Sequence, residues 1–407
     1  MKKLVQINVS LNCGSTGRIA EGIAMSAKNR GWDCYTVHGR RYKQPSEFPS
    51  MEVSSLFEES VHYAKSLILD KQGLGSVRAT KHVIKRLEAI KPDIIHLHVI
   101  HGCYINYQVL FEYVRKKNVP VVWTLHDCWA FTGHCVYFDR VGCEKWKTEC
   151  SNCPQLKEFP KSIIDGSRRN FNLKKSLYGD NKNLMIVPVS VWLGKLVLDS
   201  FLKELPMRVI HNGIDLERYK ASQTNIREKY HIAPGKKIIL GVANGFGKRK
   251  GISDFRKLSE ILPDDYQIIL AGVMEEDKEW LTPSIRAIGR TDCQQELTDL
   301  YSSATVFINP TYEDNFPTTN LEALACGTPV VTYNTGGSPE AIDSKTGIVV
   351  KQGCVEELRN AIVKIVSVGK DNYATNCRIR AEKHFNQKDR FEEYVGLYDE
   401  IIQNNKK

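Results

Sequence analysis

The chain has 407 residues, 42% hydrophobic and 26% charged, with a formal net charge of +10. That composition is globular: it excludes a disordered or collagen-like chain, and the length accommodates two domains. No run approaches the roughly 18 uninterrupted apolar residues of a membrane-spanning helix; the best, 184–198, is broken by Lys195. The opening MKKLVQINVSLNCGSTG has no long apolar region and no small-residue cleavage site, so a cytoplasmic chain is expected.

The charge is lopsided. Residues 1–200 carry 29 Lys and Arg against 18 Asp and Glu, whereas residues 201–407 carry 28 against 29. No basic run is interleaved with aromatics, and no zinc-finger or helix-turn-helix pattern is present, so nucleic acid is not an expected partner. A basic half suits a solvated surface, an anionic substrate, or peripheral contact with an anionic membrane at the inner face of the cytoplasmic membrane.

In chain order, the apolar run 3–9 predicts a strand. A turn of small residues, 12–17, follows, then an amphipathic stretch to Lys28 and a second strand at 34–37. Further strands are predicted at 94–98, 119–125 and 184–189. Their near-continuous apolar character suits a parallel sheet covered on both faces. A second series begins near residue 205, with strands at 237–242, 267–271, 306–308 and 330–332 separated by predicted helices. Two such arrays imply an α/β protein of two doubly wound domains. The last element, 388–403, is an amphipathic helix.

Three segments carry candidate chemistry. In the loop Gly14-Ser-Thr-Gly17, backbone N–H groups at a helix start can hold an anion or a sugar hydroxyl; a plain tight turn is the alternative. Its spacing matches neither the dinucleotide fingerprint nor the P-loop. The segment Gly241–Gly251 places Gly245, Arg249 and Lys250 after a buried strand. Arg249 by its planar fork and Lys250 as a point charge are suited to clamp a diphosphate. In Asn309–Val331, Glu313 and Asp314 lie in a loop. Thr318, Thr319 and Asn320 open a helix whose N–H groups can face a phosphate, and Glu322 sits one turn in, suited to two ribose hydroxyls. His126, beside Asp127 at a strand end, is a candidate for a hydrogen bond to a sugar or to the transferring group. His96, His98 and His101 surround another strand end and read more readily as structural.

These motifs resemble the family 4 retaining glycosyltransferases of the GT-B fold. The family signature is two acidic residues separated by seven others, then a Gly-x-Pro-Val-Val segment. Asp314 and Glu322 have that spacing before Gly327-Thr-Pro-Val-Val331. The family's first acid is Glu; here Asp stands in that register, with Glu313 one place earlier. Lys250-Gly251 resembles the family's phosphate-binding turn. His211-Asn-Gly-Ile-Asp215, which contains Asn212, resembles the opening of its second domain. Gly336-Gly-Ser-Pro-Glu340 resembles its Gly-Gly-x-x-Glu loop, and Thr124-Leu-His-Asp127 its His-Asp motif.

The resemblance implies two Rossmann-like domains facing each other across a cleft. Residues 1–205, with a cysteine-rich insertion at 128–155, would form the acceptor side. Residues 206–385 would hold the nucleotide-sugar, and the helix 386–407 would cross back. It implies a retaining, hexosyl-type transfer from a UDP- or GDP-linked sugar to a glycan or lipid-linked glycan. The setting is capsule, exopolysaccharide or lipopolysaccharide synthesis, and no cofactor is needed for the chemistry. Asp314 or Glu313 would orient the sugar and Glu322 the ribose. Two other classes share the fold: a nucleotide-sugar isomerase or epimerase, and a catalytically silent nucleotide-sugar binding protein.

Twelve cysteines are present, and five of them fall at 128, 135, 143, 150 and 153. Thiolates clustered in a reducing compartment predict a structural zinc site. The expected ligands are Cys135, Cys143, Cys150 and Cys153, with Cys128 or His134 as substitute; plain packed thiols are the alternative.

Overall fold

A computed structural model describes residues 1–224, 226–291 and 293–404. They form two compact units, one of residues 1–211 with the chain from 388 onward, the other of residues 212–387.

The first unit holds strands β1 (Lys2–Leu11), β2 (Trp32–Lys43), β3 (Ser50–Glu52), β4 (Ile94–Leu97), β5 (Val121–Leu125) and β6 (Leu184–Pro188). They form one parallel sheet in the order β3-β2-β1-β4-β5-β6. Its helices are α1 (Gly14–Asn29), α2 (Leu56–Leu69), α3 (Val77–Ile90), α4 (Tyr107–Lys117), α5 (Ser167–Tyr178) and α6 (Val191–Asp199). Every residue of β4 and β5 is buried, which is why both read as apolar runs. His96 is tolerated inside β4 because Thr124 Oγ1 and the Tyr398 hydroxyl engage its two ring nitrogens at 2.7 and 2.6 Å.

The unit runs past residue 205, the expected boundary, to His211. Residues 206–210 add a short ladder to β6. Ile186 N–H donates to the Pro206 carbonyl at 2.9 Å, Arg208 N–H to Ile186 at 3.0 Å, and Ile210 N–H to Pro188 at 3.1 Å.

The second unit holds β7 (Lys237–Val242), β8 (Tyr266–Ala271), β9 (Ile285–Ile288), β10 (Val306–Asn309), β11 (Val330–Tyr333) and β12 (Gly347–Val350). These too are all parallel, in the order β12-β11-β10-β7-β8-β9. Its helices are α7 (Ile226–Lys229), α8 (Ile252–Ile261), α9 (Gln294–Ser303), α10 (Thr318–Ala325), α11 (Val355–Val368) and α12 (Asp371–Phe385). The chain leaves β7 toward β8 and β9, then returns to place β10 on the other side of β7. The winding therefore reverses between β7 and β10.

Helix α13 (Gln387–Asn404) closes the described chain; residues 405–407 of the expected final helix lie outside the described residues. Its Phe391, Tyr394, Val395, Leu397 and Tyr398 pack with Leu4, Ile19, Ile23 and Trp32 in the core of the first unit. Burying such side chains contributes about 1.5–3 kcal/mol each.

Candidate functional site

In the second unit, three loops leave the carboxyl ends of the neighbouring strands β7, β10 and β11. The β7 loop is anchored by Asp277, a residue that no sequence pattern singles out. Its carboxylate accepts the N–H groups of Phe246 at 2.9 Å, Gly247 at 2.8 Å and Met274 at 3.0 Å. Burial alone would raise this carboxyl; the three donors outweigh it and hold it below the usual range. Gly245 and Gly251 in this loop have φ of +79° and +73°. A Cβ on Gly251 would stand 2.2 Å from the Pro310 carbonyl oxygen, so glycine lets the β7 loop close onto the β10 loop.

The loops are joined by both expected cations. Arg249 donates from Nη1 to the Glu313 carbonyl at 2.9 Å, and its own carbonyl accepts the Tyr312 N–H at 2.8 Å. Lys250 forms an ion pair with Asp314. Glu313 is buried, whereas Asp314 is half-buried. The β11 loop closes the third side: a Cβ on Gly336 would lie 1.8 Å from the Asp314 carbonyl oxygen.

Helix α10 starts behind Pro317, with no side chain capping its first turn. Thr318 and Thr319 are half-buried there. Asn320 is fully buried: its amide accepts from Asn309 at 2.9 Å and donates to Ser338 Oγ at 2.9 Å, tying β10 to the β11 loop. Its N–H returns to the Pro317 carbonyl at 3.2 Å. One turn on, Glu322 Oε2 accepts the hydroxyl of Tyr301 at 2.7 Å. Burial, with Glu322 beside it, raises the Tyr301 hydroxyl pKa and keeps it a donor. Asn212 donates from Nδ2 to the Phe316 carbonyl at 3.4 Å. Tyr301 and Asp277 are positioning residues far in sequence from what they hold.

In the first unit, the loop after β1 is tight. A Cβ on Gly17 would lie 2.8 Å from Ser10 Oγ, whereas one on Gly14 would meet open space. His126 follows β5 and lies in a chain of imidazoles: its Nε2 is 3.2 Å from His98 Nδ1, and His98 Nε2 is 2.9 Å from Gln6 Oε1. Burial pushes His126 down to about 4, so at neutral pH it is an uncharged hydrogen-bonding group. Asp127 instead pairs with His101 at 2.6 Å. His96 is enclosed in the sheet core.

Cys135, Cys143, Cys150 and Cys153 line one small cavity of about 20 Å³ with His134 and Trp146. Among the described residues, however, no group of three or more His, Cys, Asp or Glu side chains is arranged to hold a metal ion. The arrangement therefore lends the zinc expectation no support. The thiols turn to protein partners: Cys135 hydrogen-bonds Cys153, and Cys150 Sγ accepts the Gly133 N–H at 3.3 Å. His134 Nδ1 is taken by Asp70 at 2.7 Å.

The two units each match a family of known proteins. Glycosyltransferase Family 4 matches residues 17–218, and Glycosyl transferases group 1 matches residues 222–384. The chain belongs to these glycosyltransferases. It is 24% identical to WcaC of Escherichia coli, "Putative colanic acid biosynthesis glycosyl transferase", over 98% of this chain and 100% of that one. Among solved structures it resembles a sucrose-phosphate synthase from Thermosynechococcus elongatus, with TM-score 0.72 and 17% identity, covering 99% of this chain and 100% of that one. It also resembles HepE of Anabaena in complex with UDP-glucose, with TM-score 0.69 and 15% identity, covering 98% and 100%. The fold is GT-B, built of two Rossmann-like domains.

Proposed function

We propose that this protein transfers a sugar from a nucleotide-sugar to a hydroxyl of a glycan or lipid-linked glycan in cell-surface polysaccharide synthesis. The observation that carries the reading is the placement of Arg249 and Lys250 at the β7–β10 reversal, against the loop of Glu313 and Asp314. The UDP-glucose held by the Anabaena protein favours a uridine donor over a guanosine one. Transfer with retention follows from the family resemblance. The acceptor oxygen bonds to the anomeric carbon on the face from which the diphosphate oxygen leaves, and that oxygen takes the acceptor's proton. No separate protein base is required.

The demanding step is meeting the negative charge that develops on the departing diphosphate. Arg249, Lys250 and the uncapped start of α10 supply fixed positive potential there. Glu322, held by Tyr301, is placed to accept ribose hydroxyls. Asp314 orients Lys250 and, on substrate binding, the sugar. His126 serves as a neutral hydrogen-bonding partner on the acceptor side, where Gly14 and Gly17 shape the loop after β1.

Calorimetric titration with uridine and guanosine diphosphates tests the reading. One of the two is expected to bind, about 10- to 100-fold more weakly to Lys250→Ala, the loss of a charge-assisted contact. Binding of neither overturns it. Donor turnover without acceptor would move the assignment to an isomerase, and binding with no turnover on any acceptor to a silent binding protein.

A further inference from the structure

A hydrogen-bonding side chain inside a sheet core costs stability unless its polar atoms are met. The face of the first sheet that meets α13 nonetheless carries Gln6, His96, His98, Thr124 and His126. β1 pairs Gln6 with His96, and β4 pairs His96 with Val122. Side chains alternate along a strand, so His98, Thr124 and His126, two or four residues further on, share that face. Gln6 and His98 are covered, 0% and 2% exposed, whereas His126, just past the end of β5, is half-buried. Of these three, His126 is the one that can meet a ligand.

The bonds along this row run in one direction. The Gln6 amide donates from Nε2 to the Ala20 carbonyl of α1 at 2.6 Å. A carbonyl only accepts, so the other end of the amide, Oε1, faces His98 Nε2 at 2.9 Å. That nitrogen must therefore carry the ring proton. The His98 ring is bonded to an amide and an imidazole, and burial holds it neutral. Its Nδ1 is then a bare acceptor, and His126 Nε2, 3.2 Å away, must donate to it. His96 stands outside the row, with Thr124 and Tyr398 on its two ring nitrogens. Asp127, next to His126 in the chain, is engaged elsewhere: it accepts from His101 Nε2 at 2.6 Å and from the Trp129 N–H at 2.9 Å.

We infer that Gln6 and His98 are positioning residues for the transfer: they hold His126 as its Nε2–H tautomer, so that its Nδ1 accepts a hydrogen bond from a substrate hydroxyl. The hydroxyl contact rests on the transferase reading; the tautomer does not. The chemistry at the buried end of the row fits this role. A carboxylate in place of the Gln6 amide would draw a second proton onto the imidazoles and favour a cation with donors on both nitrogens. The amide sets the direction of the bonds and adds no charge. The result is a selective contact. A bare Nδ1 takes an O–H or an N–H and rejects an ether, carbonyl or carboxylate oxygen, whose lone pair would face its own.

The wild-type chain, isotopically labelled at its histidine ring nitrogens, tests the tautomer without any substitution. Two-bond proton–nitrogen correlation spectra at neutral pH should show His126, assigned by its loss in His126→Gln, with Nε2 protonated and Nδ1 bare. A His126 protonated at Nδ1, or an even mixture, overturns the proposal. Gln6→Met then removes the amide with little change in volume. It should mix the two tautomers of His126 and lower kcat by about tenfold, the worth of one orienting hydrogen bond. Affinity for uridine diphosphate should stay as in wild type, because Arg249 and Lys250 belong to the other unit. A merely structural Gln6 would lower the melting temperature and leave both kcat and the His126 spectrum unchanged, which overturns the proposal as well. His98→Asn keeps an oxygen acceptor near the place of Nδ1 and should retain several-fold more activity than His98→Leu; equal activity in the two counts against the role of His98. A wild type that shows the Nε2–H tautomer but transfers no sugar overturns the hydroxyl contact together with the transferase reading, and confirms the hold on His126.

Discussion

Lys250 and Asp314 form an ion pair between the loops that leave β7 and β10, at the point where the winding of the second sheet reverses. Both side chains are mostly covered, 19% and 15% exposed, so the pair is held and not merely a surface contact. In the proposed donor site the ammonium's charge is therefore matched until a ligand arrives.

The pair separates two roles for Asp314. If it chiefly holds Lys250 in check, Asp314→Asn releases the cation, and nucleoside diphosphate affinity should rise by about threefold to tenfold. If Asp314 also bonds the donor sugar, the same variant should lower kcat by at least about tenfold, because an orienting contact is lost. We expect both. Unchanged diphosphate affinity, measured by titration calorimetry, would count against the first role.

Glu322 and Tyr301 give a graded test. Glu322→Ala should abolish measurable transfer while leaving the fold intact. Tyr301→Phe removes the hydroxyl held at 2.7 Å and leaves the carboxylate in place. Its cost should be about 1 kcal/mol in stability and a fewfold rise in KM for the donor, with kcat little changed. Equal losses in the two variants would show that Tyr301 does more than position Glu322.

Gly336 tests whether the three loops must close together. Its φ is +54°, and an added Cβ would fall 1.8 Å from the Asp314 carbonyl oxygen. Gly336→Ala therefore has both a strained backbone and a clash, and should destabilise the protein by about 2 kcal/mol or more. It should also weaken nucleoside diphosphate binding, because Asp314 moves and carries Lys250 with it. Thermal melts with and without the diphosphate measure both effects.

The central strands were legible because burial on both faces removes polar residues from them: KIILGV, VVWTL and VFIN announce themselves. The edge strands β3, β9 and β12 were not. β9 reads IRAI, with Arg286 and Ala287 exposed, because a strand with one neighbour can carry polar residues. That Lys250 and Asp314 fall in loops after strands, and Glu322 one turn into a helix, was legible from the sequence. Asp277 and Tyr301 were not, since they act across 30 and 21 residues of chain on loops whose sequence does not name them. Clustering of the cysteines announced that they would meet, but not that their sulfurs would turn to each other and to Gly133. Helix α2 shows the limit most plainly. Its buried Glu59, His62 and Ser66 recur at helical spacing, yet only their partners, the Arg40 N–H, the Gly75 N–H and Gln72, decide which face turns inward.

The histidines predict an acid response. Burial holds His62 and His126 at about 4, from an ordinary 6.5, and pushes His96 and His98 well down too. Above pH 6.5 these groups are neutral in both folded and unfolded chains and contribute no pH dependence. Below 6.5 the unfolded chain takes up the protons first, so stability falls as pH drops toward 4, by up to about 1.4 kcal/mol per pH unit for each histidine. His134 acts elsewhere. Burial lowers it, but Asp70 outweighs burial and raises it, so its added stability is complete below 6.5 and fades as pH rises above. The lowered carboxyls of Asp277 and Asp343, where hydrogen bonds and, at Asp343, Arg380 outweigh burial, lose their contribution only below about 4. The interval from 6.5 to 4 therefore belongs to the buried imidazoles. Urea midpoints across it should fall steadily, and His126→Gln should reduce the slope by about 1.4 kcal/mol per pH unit, one histidine's share. A profile as steep in that variant as in wild type would mean that His126 is free to take a proton in the folded protein.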